Sequence, residues 1–383
     1  MENSNTKPVV IFVTHRTYDN GKEKRAGIDQ LMQALPDTKM YLIEHPLESD
    51  YDISYLKSVQ KKERTIIKQI IPWPKKAPLR WIAEAIYNFF WCRQLIKKNQ
   101  ASIIVAVDPL NCISLIPLKW FYRHIRVYSY VVDYSETRFD NYFFDAVYRC
   151  MNALSLRFSD TLIVVSKRMA DFFTKKYHKN VYYLPNSPII RESLLVPAKQ
   201  KNKHSLIFCA GRLTERVNME GICDVVSELK KSYPAILLHL IGKSNHYVEQ
   251  LIRQRQIEKN IIVHDVVTHE ENLFLIAQSY IGISWYTGAV SHLFWGDSLK
   301  IREYASLGLP IVSDGLTCTS EEMKKNGAGY CITTVEEMVN RIQEFIEYTD
   351  TYEQMRQCAL EWTRSVNTYK LQTVNSLFYE YTI

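Results

Sequence analysis

Short apolar runs alternate with helix-forming segments along nearly all of this 383-residue chain, and the alternation restarts once, after a polar, lysine-rich stretch at 187–204. Before that stretch, strands are expected at 8–13, 40–43, 102–107, 127–132, 161–165 and 182–184, with helices such as 142–158 and 167–177 between them. After it, strands are expected at 206–209, 237–241, 261–263 and 281–285, again separated by helices. Strands that read as continuous apolar runs, each followed by a helix, form parallel sheets covered on both faces. The chain therefore reads as α/β, with two doubly wound halves of Rossmann-like type facing each other across a cleft. Ligand groups belong at the carboxyl ends of such strands, where His15, Asp108, Asp133 and Ser166 stand.

With 46% hydrophobic residues, a chain of this length can bury two separate cores. The boundaries expected are 1–186 for the first domain, 187–204 for a linker and 205–365 for the second domain. No cleavable leader is expected, because the apolar run after Met1–Lys7 is only strand-length. No run approaches the roughly 20 apolar residues of a membrane span. The expected location is the cytoplasm, soluble or peripheral on the inner face of the membrane. Eight cysteines without a CxxC pair fit reduced thiols, and no metal site is expected.

A net charge of +7 favours acidic partners. Residues 57–98 interleave Lys61-Lys62 and Lys75-Lys76 with Trp73, Trp81, Phe89, Phe90 and Trp91. Such a mixture suits an anionic membrane surface. The same residues also suit a helix whose aromatics pack on the core and whose lysines are solvated. Nucleic acid is not an expected partner, since no nucleic-acid-binding module accompanies the charge.

Residues 294–315, FWGDSLKIREYASLGLPIVSDG, carry the sharpest local signal. Asp297 and Ser298 are good helix N-caps, Gly308 stops the helix, and a short strand follows. A helix N-terminus offers unpaired N–H groups and a positive dipole end, which suits phosphate. Lys300 in the first turn calls for an anion. Glu303, three residues on and on the same face, can accept hydrogen bonds from vicinal hydroxyls such as those of ribose. An ordinary capped helix with a Lys–Glu pair would look the same.

Through CAGRLTERVN (209–218), HLIGK (239–243), IIVHDVVTHEENLFLIAQSYIGISW (261–285) and GDSLKIREYASLGLPIVSDG (296–315), the second half resembles the nucleotide-sugar-binding half of a GT-B glycosyltransferase, close to family 4. The first half resembles the acceptor domain more weakly, through VVDYSETRF (131–139) and SDTLIVVSKRM (159–169). The resemblance implies that 366–383 crosses back to the first domain as a helix. It places Gly211 and Arg212 against a donor diphosphate, with Arg216 or Lys300 as second cation, Gly242, Asp297 and Ser298 around the donor, and Glu303 on the ribose. It is Trp295, rather than the first glutamate of the family's Glu-x7-Glu pair, that stands eight residues before Glu303. Asp297 is expected to take over that contact. Asp133 is expected to orient or deprotonate the acceptor, and His15 is a second catalytic candidate.

The function implied is sugar transfer from a nucleotide diphosphate sugar to a carbohydrate or lipid-linked acceptor hydroxyl, in surface polysaccharide or glycolipid synthesis. Retention of configuration, no metal and no cofactor beyond the donor are part of that expectation. A nucleotide-sugar epimerase of the same architecture and a degenerate donor-binding subunit remain as alternatives.

Overall fold

The computed structural model describes residues 8–19, 22–23, 27–47, 52–60, 63–71, 79–135, 137, 141–214, 216–288 and 291–379. The chain divides into two compact units, 1–185 with 370–383, and 186–369.

The first unit opens with β1 (Val9–Arg16), a two-residue pairing of β2 (Tyr18–Asp19) with β3 (Lys22–Glu23), α1 (Gly27–Gln33) and β4 (Lys39–Pro46). β5 (Ser54–Gln60) and β6 (Glu63–Ile70) follow, then α2 (Leu79–Asn99), β7 (Ile103–Val107), α3 (Pro109–Leu115) and α4 (Leu118–Phe121). β8 (Arg126–Val131), α5 (Tyr142–Phe158), β9 (Thr161–Val164), α6 (Lys167–Tyr177) and β10 (Val181–Tyr183) complete the run. The strand order is β10-β9-β8-β7-β1-β4-β5-β6. β1, β4 and β7 to β10 are parallel, and β5 and β6 add an antiparallel edge. That edge departs from the all-parallel expectation.

The expected basic aromatic surface at 57–98 is correspondingly broken up. Lys57 is buried and paired with Glu44 on the neighbouring strand. Trp91 lies in the core and stacks on His45 at 6.5 Å. Lys61, Lys62, Trp73, Lys75 and Lys76 lie outside the described residues.

The second unit contains β11 (Ser205–Arg212), α7 (Met219–Ser232), β12 (Leu237–Lys243), α8 (His246–Gln254), β13 (Ile261–His264), α9 (His269–Gln278) and β14 (Ile281–Ser284). After them come α10 (Ser291–Trp295), α11 (Leu299–Ser306), β15 (Ile311–Ser313), α12 (Cys318–Lys325), β16 (Gly329–Cys331), α13 (Val335–Glu347) and α14 (Thr349–Phe378). Its sheet is wholly parallel in the order β13-β12-β11-β14-β15-β16. Residues 187–204 hold two short 3-10 turns rather than an open linker, and Ala198 and Lys201 are buried there. The last helix is one continuous element, and its end belongs to the first unit, where Leu377 accepts a hydrogen bond from the Tyr128 hydroxyl at 3.0 Å. Among the described residues no helix is long and apolar enough to cross a membrane.

Candidate functional site

In each of the two large sheets the strand order reverses direction once, and the crevice at such a reversal is where doubly wound folds take ligands. In the second unit the reversal lies between β11 and β14, because β12 and β13 extend one side and β15 and β16 the other. β11 ends in Gly211 and Arg212, both exposed. The loop that follows is tied to the loop after β14. Thr287 donates its N–H to the Arg216 carbonyl at 3.0 Å, and Asn218 donates to the Trp285 carbonyl at 3.1 Å. Arg212 and the exposed Arg216 thus sit on a braced loop at the reversal point. A side chain at Gly211 would meet nothing within 4 Å, so the backbone there is open to a ligand.

Gly242 has a different task. Its φ is +145°, and a Cβ would fall 2.5 Å from the Ala210 carbonyl oxygen. That glycine permits the close approach of the two strands.

Helix α11 starts as its sequence predicts. The Ser298 hydroxyl accepts from the Ile301 N–H at 3.4 Å, and the Ser298 N–H donates to the Thr319 hydroxyl at 2.6 Å. Both groups of Ser298 serve the helix start, so the positions open to an anion are the N–H groups after it. The Tyr304 hydroxyl accepts the Cys209 N–H at 2.8 Å and fixes α11 against β11. The ring of Tyr304 fills the space left by Gly282, where a Cβ would clash at 2.5 Å.

Glu303 is the centre of this region. Its side chain is 2% exposed and lies 3.3 Å from Lys300 Nζ, 3.7 Å from His269 Nδ1 and 3.5 Å from the Asn272 amide. Lys300 and His269 are each 32% exposed, so the carboxylate stands behind two nitrogen groups that reach solvent. Burial pulls the Lys300 ammonium down, and the Glu303 carboxylate more than offsets this and holds it above the usual lysine value. An anion at the mouth would meet cationic and N–H donors, and a hydroxylated ligand reaching inward would meet a carboxylate. His269 and Asn272 were not singled out by sequence reasoning. The signal available was the capping box at Thr268 and Glu271, which places His269 in the first turn of α9.

Asp297, expected on the donor, belongs to the framework instead. Its side chain is 1% exposed and accepts from Arg302 Nε at 2.9 and 3.0 Å, the Thr319 hydroxyl at 2.6 Å and the Asn186 N–H at 2.6 Å. Both oxygens are engaged by protein donors. Trp295 closes α10 and packs edge-on against Phe294 at 5.2 Å.

In the first unit the reversal lies between β1 and β7. The expected catalytic group His15 is there, but its ring is consumed by a buried chain of hydrogen bonds. Ser54 Oγ donates to His45 Nδ1 at 2.9 Å, His45 Nε2 donates to Asn88 Oδ1 at 2.8 Å, and the Asn88 amide donates to Asn111 at 3.1 Å. The Asn111 amide donates to His15 Nδ1 at 3.1 Å, and His15 Nε2 donates to Glu84 at 3.0 Å. Both ring nitrogens of His15 are occupied in this network and its side chain is 6% exposed, so the structure holds it as a member of the chain of hydrogen bonds. Burial opposes the charge of Glu84, yet the hydrogen bonds from His15 and Arg80 hold its carboxyl below the usual range.

Beside the chain, Asp108 stands between β7 and α3, at the N-cap position of α3, with φ +76° and ψ 147°, a region costly for any residue but glycine by about 1–3 kcal/mol. Its carboxylate lies 3.8 Å from His15 Nδ1. Asp133 follows β8, the next strand out, and is exposed. Ser166 caps α6 through the Met169 N–H at 3.2 Å. The sequence also contains an Asp-x-Asp run, Asp50-Tyr51-Asp52, that the expectation of no metal site left out. Its first two residues are outside the described ones, and Asp52 lies 3.6 Å from Arg80. Among the described residues no three His, Cys, Asp or Glu side chains converge as a metal site.

His45 makes the network sensitive to acid. Burial lowers its pKa from 6.5 to about 4. The unfolded chain therefore binds this proton first, and stability present above pH 6.5 is lost as pH falls towards 4. The expected loss is on the order of 3 kcal/mol. Urea unfolding across that range should report it, and a His45→Asn variant should lose the pH-dependent part.

Residues 191–362, somewhat under half of the chain, match the family model described as glycosyl transferases group 1. No curated protein matches the sequence. Among solved structures, S. aureus TarM in complex with fondaparinux, alpha-GlcNAc-glycerol and UDP is similar with a TM-score of 0.57 and 14% identity. The match covers 84% of this chain and 64% of that one, so this chain spans less than two thirds of that relative. Sucrose-phosphate synthase from Thermosynechococcus elongatus matches with a TM-score of 0.68 and 12% identity, over 97% of this chain and 98% of that one. WaaG, a glycosyltransferase involved in lipopolysaccharide biosynthesis, matches with a TM-score of 0.62 and 13% identity, over 96% and 99%. At such identities the likeness is one of fold.

Proposed function

We propose that this protein, whose residues 191–362 match the glycosyl transferases group 1 model and whose fold is that of GT-B enzymes, transfers a sugar from a nucleotide diphosphate sugar to an acceptor hydroxyl. The observation that carries the reading is the cluster at the start of α11, where Lys300 and His269 front the buried Glu303 beside the Arg212 loop.

The leaving group of such a transfer is a nucleoside diphosphate, whose developing charge needs fixed positive groups more than a covalent partner. Arg212, Lys300 and the first N–H groups of α11 supply them, with Arg216 as a further cation on the same loop. Arginine adds a fork that fits two phosphate oxygens. Glu303 takes the ribose hydroxyls. On this reading the chain's own cations do the work of a divalent ion, and turnover should persist in EDTA. Retention of configuration follows the family resemblance, and the anomeric signal of the product checks it. Asp133, exposed beyond β8, orients the acceptor. The acceptor is a carbohydrate or a lipid-linked carrier, met at the inner face of a membrane during synthesis of a surface polysaccharide or glycolipid.

Thermal shift with UDP, GDP, dTDP and ADP tests the donor site. One nucleotide at 100 times its Kd should stabilise the wild type by about 2.7 kcal/mol. Arg212→Ala and Lys300→Ala should each weaken its binding by about 1.5–3 kcal/mol with little loss of fold. Unchanged affinity in both variants would remove the assignment. Donor turnover without an acceptor would favour the epimerase reading.

A further inference from the structure

We infer that the outer face formed by α2, α4 and the carboxyl end of α5 is the surface on which this protein rests against an anionic lipid bilayer. The inference deepens the proposed function by naming where the membrane is met, and it moves that contact away from the buried Lys57 and Trp91.

Helix α2 buries one side, Glu84, Asn88, Trp91 and Leu95 among them, and turns a straight apolar stripe of Ile82, Ile86 and Phe90 outward. That stripe continues beyond the helix. Phe90 and Phe121 both touch Phe89, at 5.6 and 6.4 Å between ring centres, so the exposed ring of Phe121 on α4 extends the α2 surface. Trp120 beside it is 77% exposed. Lys119 donates to the Phe158 carbonyl at 3.1 Å, which places the end of α5, where Phe158 is exposed, beside α4. Soluble proteins seldom leave so continuous an apolar area open without a use.

Charge identifies the occupant. Helices α2, α4 and α5 contain only two carboxylates, Glu84 and Asp145, and both are buried. Their exposed charges are cations, Arg93, Lys97 and Lys98 on α2 and Arg149 and Arg157 on α5, with Arg123 just past α4. Asp160, an exposed acid two residues past α5, is paired with Lys119 at 2.6 Å. A face with aromatic tips, a cationic surround and no open carboxylate on its helices complements anionic headgroups over an acyl layer. Among the described residues these three helices offer a protein partner of mixed charge no exposed carboxylate to pair with its own cations.

Vesicle co-sedimentation of the full chain tests this without any sugar donor, so its failure would leave the transfer reading standing. Wild type should sediment with phosphatidylcholine vesicles containing phosphatidylglycerol and stay in the supernatant with pure phosphatidylcholine. A Trp120→Ser, Phe121→Ser double variant should bind at least tenfold more weakly while unfolding at the wild-type temperature, since both side chains are exposed. An Arg93→Glu, Lys97→Glu, Lys98→Glu variant should lose at least as much. Wild type remaining in the supernatant with anionic vesicles at low salt would overturn the inference. So would variants that bind as wild type does. Light scattering supplies the other occupant as an outcome: a dimer of wild type that the Trp120→Ser, Phe121→Ser change dissociates, with no vesicle binding, would assign the face to a second copy of the chain.

Discussion

Replacing Asp297 with Asn is expected to destabilise the second unit by about 3–5 kcal/mol, because it leaves one end of a buried ion-pair system without its charge. Arg302 is 3% exposed and lies between Asp297 and Glu322, at 2.8 and 3.1 Å, with its guanidinium 5.1 Å from the Trp362 ring centre. The Asn amide would keep the bond from Thr319 or from Asn186 but turn an N–H group towards Arg302 or lose one acceptor. Burial raises the pKa of Asp297 even against the pull of Arg302, so much of the pair's attraction goes into offsetting its desolvation. Its contribution is therefore the placement of α11 more than net stability. A double variant, Asp297→Asn with Arg302→Met, should cost clearly less than the sum of the two single changes in urea unfolding. If Asp297→Asn instead unfolded like wild type and only turnover fell, Asp297 would return to the donor as the resemblance first implied.

Glu303→Gln should weaken ligand binding as much as the loss of either cation, Arg212 or Lys300. Glutamine keeps the shape but removes the charge that holds Lys300 and sets an amide N–H group near it. Nucleoside diphosphate affinity should fall by a factor of about 10–100, or about 1.5–3 kcal/mol. The preference for a ribonucleotide over its 2′-deoxy counterpart should shrink at the same time, because a carboxylate accepts from two hydroxyls better than an amide oxygen does. Titration calorimetry with both nucleotides measures each quantity. Equal discrimination by wild type and variant would count against ribose contact and leave Glu303 as an anchor for Lys300 and His269.

The parts of this fold written in local signals were readable. Helices expected at 142–158 and 167–177 have those bounds in the structure, since Asn141 and Ser166 cap them with side-chain bonds to nearby N–H groups. Ser298 as the cap of α11 was readable for the same reason. Strand β6 was not, because it is an edge strand exposed along nearly its whole length, and exposure on both faces erases the alternation that marks a half-buried strand. The place of His15 at a strand end was legible, but its role depends on Glu84 and Asn111, which lie 69 and 96 residues away. Asp297 likewise looked like a donor contact next to Ser298, while Asn186, which donates to it, is 111 residues distant. Local sequence sets caps and periods. Which polar group is already taken is settled by packing between remote segments.

Acceptor-dependent release of a nucleoside diphosphate is the most direct measurement of the central claim. With the nucleotide sugar selected by thermal shift and a panel of glycan and lipid-linked acceptors, the wild type should form a glycosylated product in step with diphosphate release. Lys300→Ala and Glu303→Gln should reduce both together. Nucleotide-sugar binding without transfer to any acceptor, or conversion of the donor at the same rate whether or not an acceptor is present, would contradict it.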